Sequence, residues 1–258
     1  MERSRLLECL AADYARLREV AASDLTAAVP SCPGWTVADL VRHVAEVYLH
    51  KVACMRLNAF PDPWPPAGLQ SEEPIELLDR AYAELAAEFA AHDATDPSRT
   101  WHEPDQTVGF WIRRMAQETV IHRLDAELAL DAPVAAIPDD LAVDGIDEVL
   151  KLFVGYGSHA WLEDFQPVLA GAAGRTVIVG VNDGPGWLIR TEKTGADVSD
   201  ANPATAASTP LDATVSGDAA GVLRWLWARE SPGGSDVQAE GDEATLTELR
   251  NLLVASTQ

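Results

Sequence analysis

The feature that most constrains the fold is a series of four helical segments in the first half of the chain. Apolar residues recur every three or four positions over residues 2–23, 36–57, 74–92 and 110–130. That period matches the turn of an α-helix and gives each segment one apolar stripe. Four such helices in succession can bury their stripes against one another. We therefore predict an antiparallel four-helix bundle over residues 1–132.

Residues that stop or start helices mark the breaks between these segments. The segment Val29–Trp35 contains two prolines and a glycine, and Thr36 with Asp39 three residues later resembles a capping box for the second helix. The connection between the second and third helices holds the proline-rich stretch Pro61–Pro66. Because this connection is longer than most, we expect it to cover part of the protein.

The second half of the chain has a different pattern. Residues 131–138 are interpreted as a linker, after which a helix begins near Leu141. The predicted strands are 176–181, 187–191, 213–216 and 236–239, and further helices are predicted at 217–227 and 243–254. The sequence Asn182-Asp183-Gly184 favours a hairpin between the first two strands, whereas residues 195–209 are interpreted as a mobile loop. These features predict an α+β domain with an antiparallel sheet over residues 139–258.

Charge and cysteine content limit the partners and the compartment. The chain has 41 acidic and 19 basic residues, a formal net charge of −22, which disfavours nucleic acid and anionic membranes as partners. The sequence has neither an apolar run long enough to span a membrane nor a signal-peptide pattern. Cys9, Cys32 and Cys54 show no paired spacing, so we expect free thiols in a reducing compartment and a cytoplasmic protein.

Three ionisable residues interrupt the apolar stripe of the fourth helix. Glu118 and His122 are four residues apart and Asp125 follows three further on, so all three share a face that is predicted to be buried. Unpaired polar groups there would be costly, and a divalent metal ion resolves that cost by taking the carboxylate and the imidazole as ligands. His43 on the second helix is the candidate third ligand, and Asp125 is expected to support a ligand. A His/Glu/His set leaves a coordination position open, as in catalytic zinc sites.

Other interpretations of these residues stay open at this point. A glutamate and a histidine four residues apart occur often by chance, and a histidine at the margin of an apolar face is commonly a hydrogen-bonded core residue. His50 and Cys54 lie along the same edge of the second helix as His43, so they are competing ligands.

Two segments resemble the signatures of the mycothiol-dependent maleylpyruvate isomerase family. The first is VPSCPGWTVADLVRHV at residues 29–44 and the second is MAQETVIHRLDAE at residues 115–127; weaker similarity continues into the second half of the chain. The resemblance implies a metal-binding bundle of the DinB type, followed by a domain similar to sterol carrier proteins. It also implies that His43, Glu118 and His122 are the metal ligands.

The chemistry implied by the resemblance is a zinc-assisted thiol reaction. The thiol of mycothiol would bind the open position as a thiolate and add to a small electrophilic substrate. In the isomerase, that addition permits rotation about a double bond before the thiol leaves. Our leading hypothesis is therefore a zinc-dependent transferase or isomerase with mycothiol as cosubstrate.

Arg229 is the remaining candidate residue. It follows Trp225, Leu226 and Trp227, where a guanidinium can hold a substrate carboxylate through two hydrogen bonds. The alternative is a surface arginine that ends a helix and is favoured by the helix dipole. A rival hypothesis for the whole chain is a non-catalytic binding or regulatory protein. In that case the metal staples the bundle and the second domain binds an apolar ligand.

Overall fold

The computed structural model of the protein describes residues 1–201, 209–230 and 237–257. The chain divides into two compact units, Met1–Ala135 and Ala136–Gln258. The first unit is helical, and the second combines helices with one sheet. The point of division falls within the segment 131–138 that the sequence marks as a linker.

Four long helices form the first unit. They are α1 (Arg3–Ala21), α2 (Val37–Leu57), α3 (Pro74–Ala91) and α4 (Val108–Ala129), with a turn of 3-10 helix at Leu69–Ser71. Helix α1 packs against α4, and α2 packs against both α3 and α4. Every helix end lies within two residues of its predicted position, so the predicted helical bundle is confirmed.

Side-chain caps fix the start of the two helices that carry the candidate ligands. The Thr36 hydroxyl accepts a hydrogen bond from the Asp39 amide (3.3 Å), and the Asp39 carboxylate accepts one from the Thr36 amide (2.8 Å). This reciprocal pair is the capping box expected for α2. At the start of α4, the Thr107 hydroxyl accepts from the Phe110 amide.

Helix α4 is buried around most of its circumference. The buried positions include polar and charged side chains, among them Arg123, Asp125 and Glu127, each at most 1% exposed. A helix in this position packs against neighbours on several sides, and its charged groups must find partners inside the protein.

The long connection between α2 and α3 covers one side of these two helices. Its residues Trp64, Pro66 and Leu69 face Leu49 and Val52 of α2 across an apolar cavity of about 320 Å³. This cavity is lined by neither His43 nor the two α4 candidate ligands, so it is separate from the candidate metal centre.

The second unit contains six described helical segments and five described strands. The helices are α5 (Asp139–Glu148), a π-helical segment (Val149–Tyr156), α6 (Gly157–Ala160), α7 (Leu162–Leu169), α8 (Ala219–Leu226) and α9 (Glu243–Ser256). The strands are β1 (Thr176–Val181), β2 (Gly186–Glu192), β3 (Gly195–Ala201), β4 (Ala213–Gly217) and β5 (Gln238–Gly241). They form one sheet in the order β3-β2-β1-β4-β5. The predicted α+β class is confirmed.

The direction of β4 differs from the prediction of an antiparallel sheet. The pairs β1–β2, β2–β3 and β4–β5 are antiparallel, but β1 and β4 run parallel, with Val177 opposite Ala213 and Val179 opposite Val215. Side chains alternate between the two faces of a strand whatever its direction. The alternating pattern of residues 213–216 therefore predicted a strand without specifying the orientation of its neighbour.

The prediction of a mobile loop over residues 195–209 is wrong for its first part. Residues Gly195–Ala201 form β3, which pairs antiparallel with β2 and places Asp197 opposite Arg190. β3 is an edge strand, and polar, charged side chains are common on edges because they discourage pairing with other chains. Its sequence, GADVSDA, therefore lacks the usual strand signal. Residues 202–208 lie outside the described residues.

The last predicted strand is shifted along the chain. β5 begins at Gln238, two residues after the predicted start at Asp236, which lies outside the described residues. In the part of the chain that the structure covers, no helix has the length and apolar character needed to cross a membrane.

Candidate metal centre

The structure brings the three candidate ligands together at the interface of α2 and α4. One carboxylate oxygen of Glu118, Oε1, lies 3.3 Å from His43 Nε2 and 3.3 Å from His122 Nε2. All three ligand atoms lie within 4.8 Å of one another. Ligand atoms roughly 2.1 Å from a tetrahedral zinc ion would be about 3.4 Å apart, which matches the two distances from Glu118 Oε1.

Neighbouring side chains hold the two α4 residues in place. Arg114, one turn before Glu118, donates to the other carboxylate oxygen, Oε2, at 2.5 Å. The Nδ1 atom of His122 lies 2.9 Å from a carboxylate oxygen of Asp125. A proton on Nδ1 satisfies that bond and leaves the Nε2 lone pair directed at the centre, as in the carboxylate–histidine pairs of zinc sites. Asp125 thus lies where a supporting residue is expected.

The electrostatics of the centre favour a carboxylate anion. Burial alone would raise the pKa of Glu118, but the charges of His122 and Arg114 outweigh it and hold that pKa well below its ordinary value. Burial would likewise lower the pKa of His122, yet Glu118 and Asp125 raise it to about 9. A cation bound at His122 Nε2 must therefore displace a proton, as is usual when metals bind histidine.

The segment before α2 forms a compact turn that reaches the centre. Its backbone hydrogen bonds include Val29 N to Trp35 O (2.9 Å) and Trp35 N to Cys32 O (3.0 Å). The turn directs the Ser31 hydroxyl to Asp125 (2.5 Å) and places the Trp35 ring 5.0 Å from the His43 ring. The first signature segment is therefore physically part of the site.

One side of the centre is open to solvent. The side chain of His43 is 38% exposed, whereas those of Glu118 and His122 are 14% and 11% exposed. With three protein donors in place, a small molecule can approach from the His43 side.

The other residues singled out from the sequence lie elsewhere. His50 and Cys54 contact each other through the thiol and Nδ1 (3.5 Å) and do not belong to the three-residue donor set. Arg229 lies in the second unit, where its guanidinium donates to the Trp227 carbonyl at 2.6 Å and lies 5.7 Å from the ring of that residue. Its assignment to a substrate carboxylate remains a prediction.

Two residues of the centre were not identified from the sequence. Arg114 precedes Glu118 by four residues, a spacing typical of helical ion pairs that was available as a signal. Ser31 contacts Asp125 across 94 residues of sequence, and no local pattern marks it for that role.

Family models match most of the chain. The model of the mycothiol maleylpyruvate isomerase N-terminal domain matches residues 7–127, and the model of the C-terminal domain of the same isomerase matches residues 140–248. The chain belongs to the mycothiol-dependent maleylpyruvate isomerase family. The N-terminal match contains His43, Glu118, His122 and Asp125. A search of curated proteins finds no significant match.

Solved structures support the same fold. A crystal structure of the mycothiol-dependent maleylpyruvate isomerase superimposes with a TM-score of 0.58 and 16% identity, covering 94% of this chain and 95% of that one. A histidine-to-alanine mutant of that isomerase gives a TM-score of 0.57 and 15% identity over the same shares. At this identity the likeness is one of fold.

Proposed function

We propose that this member of the maleylpyruvate isomerase family is a metal-dependent enzyme that acts on a small electrophile with mycothiol as cosubstrate. The enzyme would either isomerise the electrophile or transfer the thiol to it. The proposed metal is zinc, the proposed ligands are His43, Glu118 and His122, and the proposed metal-binding domain is residues 1–132. Residues 139–258 are the proposed C-terminal domain. The observation that carries the proposal is the convergence of three donor atoms within 4.8 Å on a partly open face.

Each neighbouring residue has a role in this proposal. Asp125 holds the Nδ1 proton of His122 and Ser31 holds Asp125, so the imidazole keeps one orientation and one tautomer. Arg114 occupies Glu118 Oε2 and leaves Oε1 for the ion. When bound, the cation supplies a lowered pKa for a coordinated thiol, so that the thiol reacts as a thiolate at neutral pH.

If the reaction is an isomerisation, the thiol is released unchanged at the end of each turnover. Addition of the sulfur to an alkene carbon turns the double bond into a single bond that can rotate, and elimination of the same thiolate restores the double bond. Cys9, Cys32 and Cys54 form no disulfide in the structure, which agrees with the reducing compartment proposed for a thiol-dependent enzyme.

The decisive experiment compares two histidines with similar surroundings. His122 has Glu118 four residues before it and Asp125 three after, and His92 has Glu88 four before and Asp96 four after. We expect His122→Ala to lose about one equivalent of zinc and all mycothiol-dependent turnover, because a metal held by three protein ligands depends on each of them.

The control variant His92→Ala should keep both the zinc and the turnover, since His92 and its two carboxylates do not form a converging ligand set among the described residues. Unchanged zinc content in His122→Ala would refute the metal assignment. The rival hypothesis of a metal-stapled binding protein predicts that chelation lowers the melting temperature while no mycothiol-dependent turnover is found.

A further inference from the structure

A basic and aromatic cluster lies further along the same α2–α4 interface. The Lys51 ammonium lies 4.8 Å from the centroid of the Trp111 ring and 3.2 Å from His50 Nδ1. The His50 ring lies 6.2 Å from the Phe60 ring, and the Arg99 guanidinium lies 5.1 Å from the same Phe60 ring. The Trp111 indole donates a hydrogen bond to the Arg99 carbonyl at 3.1 Å, so each of these residues contacts two others of the group. We call these five residues the Lys51 cluster.

Among the described residues, neither cation of this cluster forms an ion pair. Within the described residues, no carboxylate oxygen lies within 4.0 Å of the Lys51 ammonium or the Arg99 guanidinium. This is unexpected in a chain with 41 acidic and 19 basic residues, and nearby Arg56 and Arg80 each contact two carboxylates. Two cations that lie in one cluster, each with no described carboxylate within 4.0 Å, form a site where an anion can bind.

The environment of Lys51 strengthens its attraction for an anion. Trp111 is fully buried and Lys51 is only partly exposed, so the ammonium is screened by water less than a surface lysine would be. Burial lowers the pKa of Lys51, while the charge of Glu118 raises it and that of Arg114 lowers it. The ammonium therefore feels the charges of the candidate metal centre.

Lys51 also lies within reach of that centre. His43 and Lys51 are eight residues apart on α2, which corresponds to about 12 Å along the helix axis. Side chains on a helix lean towards its N-terminus, so the stem of Lys51 shortens this distance towards His43. A small carboxylic acid bound at the ammonium would therefore lie on the side of Lys51 that faces His43.

We propose that Lys51, assisted by Arg99, binds a carboxylate of the electrophilic substrate and thereby places its reacting carbon at the His43–Glu118–His122 centre. This inference rests on the proposed function, and what it adds is the pair of side chains that would hold a carboxylate of the substrate. Lys51 and Arg99 are positioning residues, since they contact the carboxylate and not the carbon that changes.

The test is calorimetric titration of maleate, a small unsaturated dicarboxylate, into the full-length protein with zinc and after chelation. We expect Lys51→Met to raise the Kd of maleate about 10-fold to 100-fold, the usual effect of losing one charge-assisted contact. Lys51→Arg should restore most of the affinity. Lys193→Met, which removes the same charge from an exposed turn, should leave the Kd unchanged.

Arg99→Gln provides a second variant on an exposed residue, where folding is not at risk, and should weaken maleate binding by a smaller factor. An equal Kd in the wild type and Lys51→Met, or no binding by the wild type, would overturn the assignment. Either outcome leaves the zinc content of His122→Ala as an independent result. Conversely, the protein could bind maleate through Lys51 and yet show neither bound zinc nor turnover. That result would support the anion site and refute the proposed function.

Discussion

Glu127 offers a sharp test of how the first unit is stabilised. It is a buried carboxylate on α4 that contacts Arg123 at 2.5 Å and Arg16 of α1 at 2.9 Å. It also accepts a hydrogen bond from the Ala135 amide at 3.2 Å. Substitution of Glu127 by Gln preserves the shape of the side chain and removes its charge, so it isolates the electrostatic contribution.

The chain contains a closely matched surface counterpart. Glu84 contacts Arg80, four residues before it, and Arg56 of another helix, which is the arrangement that Glu127 has with Arg123 and Arg16. The Glu84 and Arg80 side chains are 31% and 40% exposed, whereas those of Glu127 and Arg123 are 0% and 1% exposed. Burial is therefore the main difference between the two clusters.

The expected magnitudes follow from that difference. Removing one carboxylate from a buried ionic cluster leaves the remaining charges poorly compensated, here Arg123 with Asp13 alone. Breaking a buried pair in this way costs about 3 kcal/mol or more. Neutralising an exposed pair at this helical spacing costs about 0.5 kcal/mol or less. For an m-value of about 2 kcal/mol/M, Glu127→Gln should lower the urea midpoint by about 1.5 M and Glu84→Gln by about 0.2 M.

The assay is urea unfolding followed by far-ultraviolet circular dichroism, because the first unit is almost entirely helical. Equal midpoints for the two variants would refute the reasoning, since they would mean that the buried charge of Arg123 is compensated without Glu127. A changed m-value would instead indicate an altered unfolding transition, so the midpoint comparison requires equal slopes.

Two further predictions concern the candidate centre and pH. Asp125→Asn should raise the Kd for zinc about 10-fold to 100-fold, as measured by competition with a chelator, because His122 loses its charged partner. Ser31→Ala should have a smaller effect. An unchanged Kd in Asp125→Asn would contradict the role of Asp125. Burial and the charge of Lys51 lower the pKa of His50 from 6.5 to about 4, so the folded state binds fewer protons than the unfolded chain in that window. The contribution of His50 to the unfolding free energy should therefore fall as pH drops from 6.5 to 4. His50→Gln should flatten that part of the curve, and an NMR titration midpoint near 6.5 for the His50 ring would contradict the prediction.

The sequence was sufficient to predict the elements with a strong periodic pattern. The four helices of the first unit and the hairpin strands β1 and β2 carry apolar residues at the period of their structure, and Thr36 marks the start of α2 by its own hydrogen bonds. The polar edge strand β3 and the parallel direction of β4 were not predictable in this way. Both depend on which strand lies alongside, and that is decided by tertiary packing.

The candidate centre likewise combines contacts that the local sequence predicts with contacts that depend on tertiary packing. The spacing of Glu118, His122 and Asp125 was enough to predict that they lie together, because helix geometry alone brings such positions to one face. The contacts of Ser31 and of Lys51 with α4 join distant parts of the chain, so they required the packed bundle.

The two sides of α4 differ in how their charges are balanced. Towards α1, Arg123 contacts Asp13 and Glu127. Arg16 contacts Glu127 and Glu19, so both cations have carboxylate partners within the protein. Towards α2, Arg114 contacts Glu118, and His122 lies against both Glu118 and Asp125, which favour a proton on its ring. A proton held by such a cluster can be exchanged for a metal cation. The same helix thus carries a fixed ionic cluster that orients it and, on the side facing α2, a cluster whose positive charge can be replaced.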